Sequence, residues 1–114
     1  VDDSYDAPDP DGIEIGDDHQ VKYFCWAPDR ELNPQWANTP DVERAGCMIW
    51  HKRPDNGKQC AGAIHFDVPG AEHLAPADHR WQVQSFDPLT ISPSVLCMRC
   101  GDHGFIRGGR WIRA

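Results

Sequence analysis

Cys97 and Cys100 are separated by two residues, and Gly101 follows the second. That spacing is a knuckle: the short loop turns both sulfurs toward one point, and the glycine lets backbone N–H groups approach them. Thiolates so placed bind a tetrahedral metal ion, and zinc is the expected one. One knuckle supplies two ligands, so the rest of the chain must supply the others. Cys60 lies at the base of a Gly-flanked turn (Gly57-Lys58-Gln59-Cys60) and is well placed to donate. Cys25 and Cys47 compete for the remaining position. Cys47 and Cys60 flank one hairpin, whereas Cys25 with Cys60 requires an excursion between them. His103 is a further candidate, because Cys100 and His103 repeat the two-residue spacing and can replace Cys97 and Cys100 as the pair; it also suits a donor to a ligating sulfur. His19, His51, His65, His73 and His79 show no ligand pairing beyond Cys60-x4-His65 and read as ordinary surface or half-buried side chains.

The elements that position these residues read as short strands. Residues 104–112 form a hairpin whose Gly108 and Gly109 provide the positive φ angles of a two-residue turn. Upstream, residues 19–26, 47–51, 61–68 and 81–86 are strand candidates with period-two alternation, placing Val21, Tyr23 and Cys25 on one face of the first. Pro54-Asp55-Asn56-Gly57 is a turn, and its Asn56-Gly57 is the strongest short hairpin signal. Thr39-Pro40-Asp41 resembles a helix start, with a capping hydroxyl, a proline at the first turn and acids at the positive dipole end. One helical turn is expected near residues 71–74. The expected class is all-β: a small, zinc-ribbon-like antiparallel sheet with long loops and at most one or two short helices.

The 114 residues make one domain, short enough for a metal to be a useful staple. The net charge of −7 is uneven. Asp2, Asp3, Asp6, Asp9, Asp11, Glu14, Asp17 and Asp18 stand in a stretch without Lys or Arg, so residues 1–18 read as a flexible or partner-ordered acidic arm and residues 19–114 as a near-neutral domain. This balance opposes broad non-specific DNA binding. Five cysteines without a secretory signal point to thiols and metal rather than disulfides. No apolar run approaches a membrane span, and no membrane partner is expected.

Residues 80–114 resemble the C-terminal part of a family of small phage- and prophage-encoded zinc-binding proteins of unknown function, sometimes labelled ammonia monooxygenase. The residues that carry the resemblance are Trp81, the run Pro88-Leu89-Thr90-Ile91-Ser92-Pro93-Ser94-Val95-Leu96, the knuckle, and Gly101-Asp102-His103-Gly104-Phe105-Ile106-Arg107 with Gly109 and Arg110. The resemblance implies that Phe24-Cys25 is the early cysteine segment, that Cys60 is its partner and that residues 26–57 are an insertion. On that ground Cys25 is preferred to Cys47. The family supplies no activity to carry over, and nothing in these residues supports the oxygenase label.

The expected function is a non-enzymatic, zinc-stabilised bacteriophage module acting through protein–protein contacts, as a virion component or a host-factor binder. Its partners are a viral structural protein or a host protein, and its place is the cytoplasm of the infected bacterium or the virion. Trp26, Trp36, Arg107, Arg110 and Trp111 form the candidate contact surface. A second reading is nucleic-acid contact through the C-terminal arginines and rings. A third, zinc-dependent hydrolysis, lacks a His-Glu-x-x-His motif and a carboxylate placed as general base.

Overall fold

Residues 8–114 are described by the computed structural model. Alternating apolar residues give β1 (Ile13–Gly16), β2 (His19–Trp26), β3 (Val42–Lys52), β4 (Gln59–Phe66), β5 (Arg80–Phe86) and β6 (Leu89–Ser92), hydrogen-bonded in chain order as one six-stranded sheet. All neighbours are antiparallel except β4 and β5, which run parallel and meet only at His65↔Arg80 and Phe66↔Trp81. A second sheet holds β7 (Val95–Leu96), β8 (His103–Arg107) and β9 (Arg110–Arg113). Arg107 pairs with Arg110 around Gly108 and Gly109, whose φ angles of 57° and 72° are the left-handed ones such a turn needs. The protein is thus small and all-β, and the helical segments among the described residues are the 3-10 turns Pro34–Trp36, Glu72–Leu74 and Ala77–His79.

The core lies between the sheets. Val21, Cys47, Ile49, Ile64, Phe66, Leu89 and Ile91 face Val95, Ile106 and Trp111 of the small sheet, with Ile15 at the margin. Each such side chain contributes about 1.5–3 kcal/mol by leaving water. At one end Tyr23, Phe66 and Phe86 meet edge to face at 5.7–6.2 Å, and the Tyr23 hydroxyl donates to the Phe86 carbonyl at 2.9 Å.

Three sequence expectations change. The second half of the acidic arm is ordered as β1, paired Ile13↔Val21 and closed by Asp17 and Asp18 in left-handed conformations; residues 1–7 of the arm lie outside the described residues. The helix start at Thr39 is absent, because the segment that follows it is β3, whose pairing on both sides overrides a local capping signal. Residues 26–57, expected as a loop insertion, contain β3, a central strand between β2 and β4.

Candidate metal centre

The hairpin of β3 and β4 brings the first two ligating groups together. The loop holds four residues, Pro54 to Gly57, closed by Arg53 N–H to the Lys58 carbonyl at the inner rung and by Gly57 N–H to the Arg53 carbonyl across the loop. Gly57 has φ +72°, a conformation glycine adopts without strain. This register sets His51 directly opposite Cys60 on the same face. The knuckle between β7 and β8 supplies the other two. Gly101 N–H donates to the Cys97 carbonyl at 2.7 Å, Cys97 N–H donates to the Asp102 carbonyl at 2.8 Å, and Gly101 takes φ +80°.

One donor atom from each of His51, Cys60, Cys97 and Cys100 falls within 4.8 Å of all the others. Zinc at about 2.3 Å from sulfur and about 2.0 Å from nitrogen, with tetrahedral angles, separates two sulfurs by about 3.8 Å and sulfur from nitrogen by about 3.5 Å. The Cys60 and Cys97 sulfurs are 3.8 Å apart, and His51 Nε2 is 3.3 Å from the Cys100 sulfur. All five cysteines are free thiols. A Cys3His set with these edges fits a tetrahedral metal ion such as zinc.

Electrostatics suits the same role. Burial, reinforced by the neighbouring Cys97 and Cys100, pushes the Cys60 thiol up to about 12. Burial also raises Cys100. Cys97 goes the other way: burial pushes it up, but the Arg99 and Cys100 backbone N–H groups and the adjacent thiols outweigh that and lower it. Burial holds His51 below its ordinary value, against the pull of Asp102, which favours the neutral ring a metal requires. Three thiols crowded together at these distances gain from a cation that takes the place of their protons.

A buried network orients the centre. His19 Nδ1 donates to the Asp17 carbonyl at 2.6 Å, and its Nε2 meets Asp102 Oδ2 at 2.5 Å. Its ring is stacked between Trp111 at 4.0 Å and His51 at 5.4 Å. His19 and Asp102 converge with His51 as a second group of ligating side chains. Their direct bond turns them on one another and ties the end of the knuckle to β2, while His19 meets the His51 ring by stacking.

The structure brings together Cys60, Cys97 and Cys100 from the sequence candidates and adds His51, which sequence reasoning had set aside as an ordinary side chain. Cys25 stands outside the cluster. The register of β2 against β3 shifts between Phe24 and Trp26, and Cys25 turns out to solvent. Cys47 also stands outside, sunk in the apolar core with its thiol pushed up to about 12 by burial. His103 is exposed, with Nε2 2.9 Å from the Ser94 hydroxyl. Among the candidate contact residues, Trp111 is buried against His19 rather than presented outward. Trp26 and Trp36 are half-buried and pack around His73. Arg107 lies over the Phe105 ring at 4.1 Å, and Arg110 is exposed. Among the described residues, no helix is long and apolar enough to cross a membrane. Comparison with protein-family models, curated proteins and solved structures finds no match.

Proposed function

We propose that this chain is a non-enzymatic, zinc-stabilised binding module that works through protein–protein contacts, as a bacteriophage virion component or a host-factor binder. The observation behind the non-enzymatic reading is the donor set: three sulfurs and one imidazole nitrogen within 4.8 Å of one another would complete a tetrahedral shell around one ion, which would leave no position for a substrate or an activated water. Two of the four come from the large sheet and two from the knuckle of the small one, so the ion serves to join layers. The phage setting is supported by the motif that runs from Pro88 to Arg110.

The arginines favour a protein partner over nucleic acid. Arg113 is paired with Asp17 Oδ2 at 2.8 Å, and Arg107 lies over Phe105. Arg99 donates to the Ala61 carbonyl at 3.1 Å. A phosphate-tracking face would present these groups together toward the ligand. X-ray absorption at the zinc edge tests the reading. Three sulfurs near 2.3 Å and one nitrogen near 2.0 Å are expected. An oxygen ligand in place of one of them would mark an open, catalytic position and overturn it.

A further inference from the structure

A cavity of about 430 Å³ lies between the two sheets, next to the metal centre. Ile49, Ile64 and Trp81 of the large sheet and Val95, Leu96 and Trp111 of the small one form its walls, and the donors His51 and Cys97 stand in the same lining. The volume falls within the range of about 300–1,000 Å³ found for ligand clefts. Gly62 helps to make this space. It lines the cavity opposite the buried Ile49, and a Cβ built on it meets nothing within 4 Å. Met98, 89% exposed, also lines the cavity, so the space opens to solvent.

Two polar atoms in this lining lack the partner that buried polar atoms normally have. Trp81 shows the normal case: its indole N–H donates to the Ser94 carbonyl at 3.2 Å. Trp111 is 7% exposed, and its buried indole N–H finds no acceptor among the described residues. Asp102 is 3% exposed. Its Oδ2 meets His19, but its buried Oδ1 accepts no hydrogen bond among the described residues, the Arg113 guanidinium standing 3.7 Å away. One orphan is a donor and the other an acceptor. An ammonium group would answer Asp102 and leave the indole unpaired. A carboxylate would answer the indole and face the charge of Asp102. Arg99, also in the lining, is already engaged, donating to the Ala61 carbonyl at 3.1 Å.

We infer that this cavity binds a small, neutral, largely apolar molecule through one amide group, whose carbonyl accepts from the Trp111 indole N–H and whose N–H donates to Asp102 Oδ1. The apolar remainder of the molecule lies against the aliphatic and aromatic walls. An amide carries an acceptor and a donor without net charge, which is the complement of the two orphaned atoms. A site built in this way rejects an analogue that lacks either group, because a buried polar atom is then left unpaired. Such a ligand is additional to the protein partner and does not depend on it.

The test is calorimetric titration of the zinc-loaded full chain with a series of equal shape. The probe is para-butylbenzamide, and the controls are para-butylacetophenone, para-butylbenzoate, para-butylbenzylamine and para-butyltoluene. The amide is expected to bind saturably, one per chain. The ketone, which keeps the carbonyl and lacks the N–H, should bind about tenfold more weakly, and so should the acid and the amine. Trp111→Phe is expected to keep one zinc, to weaken the amide about tenfold and to leave para-butyltoluene unchanged. Gly62→Leu fills the cavity and is expected to keep its zinc and bind none of the series. Should Trp111→Phe not fold, the ligand series on the parent and the Gly62→Leu titration still decide. The proposal is overturned if the amide does not saturate, if the ketone, acid or amine binds as tightly as the amide, or if either variant binds the amide as the parent does. Tighter binding of the acid would assign the cavity to apolar anions instead. A failure here leaves both the zinc-edge result and the protein-contact reading untouched.

Discussion

At the scale of single residues, the four clustered donors His51, Cys60, Cys97 and Cys100 separate cleanly from the cysteines and histidines around them. Cys60→Ser and His51→Ala are each expected to reduce bound zinc from one equivalent to well below one after gel filtration. Cys25→Ser and His103→Ala should retain it, and metal analysis of the purified variants decides. Loss of zinc from Cys25→Ser would show that the cluster is not the binding site. Cys47 makes a different prediction, because its thiol is buried in the apolar core and raised from 9.0 to about 12. The unfolded chain ionises this group near pH 9 and the folded chain does not, so folding stability is full below pH 9 and falls as pH rises from there toward 12. The slope is about 1.4 kcal/mol per pH unit. Urea unfolding of the zinc-loaded protein between pH 8 and 10 should show it, and Cys47→Val should flatten it. Of the site itself, the sequence made Cys97, Cys100 and Cys60 readable from the knuckle spacing and the glycines around them. His51 was hidden, because nothing local distinguishes it from the other histidines. It becomes a ligand only through the rung it shares with Cys60.

At the scale of elements, that rung depends on how the β3–β4 loop closes. Asn56-Gly57 taken as a two-residue turn would place Cys60 opposite Arg53. The observed loop is longer by Pro54 and Asp55, and Cys60 moves two positions to face His51. Because the shift is two residues, the side chains stay on the same face, and only the identity of the partner changes. The turn was legible as Pro54 to Gly57, but the rung that it sets, His51 opposite Cys60, was not read from it, which is why the strand pair was visible in the sequence and His51 was not. Removing Pro54 and Asp55 leaves Arg53, Asn56, Gly57 and Lys58 as a two-residue hairpin with the same inner rung. The shortened chain is therefore expected to keep His51 opposite Cys60 and to bind one zinc, whereas removing Pro54 alone should disturb the register and weaken binding. Equal zinc content in the two deletions would argue against register as the determinant. The strands themselves were largely visible, since Val21, Tyr23 and Cys25 of β2 and Trp81 and Val83 of β5 stand at alternate positions. The first half of β3 was obscured by a proline and acids that resemble a helix cap, and only its two neighbours settle its conformation.

At the scale of the whole molecule, the question is what an ion at the cluster would hold that the core does not. The two sheets already meet through Leu89 and Ile91 on one side and Ile106 and Trp111 on the other. The β8–β9 turn is further tied by Gly109 N–H to the Leu89 carbonyl at 2.9 Å and by Gly108 N–H to the Thr90 hydroxyl at 2.8 Å. Those contacts lie at the turn and along the sheet interface. The knuckle is joined to the large sheet mainly at the cluster, through Arg99 to Ala61 and through the bond of Asp102 to His19. Without the ion, the crowded thiols of the knuckle and Cys60 lose the charge that binds them, while the apolar interface is unchanged. An ion at a thousand times its dissociation constant contributes about 4 kcal/mol to the folded state. Chelation should therefore lower the melting temperature without collapsing the fold. In hydrogen exchange, the amides of residues 97–102 are expected to lose protection first, while those of β2 and β3 keep theirs. Loss of protection in β2 and β3 at the same rate as in the knuckle would mean that the ion holds the entire domain and that the core alone is insufficient.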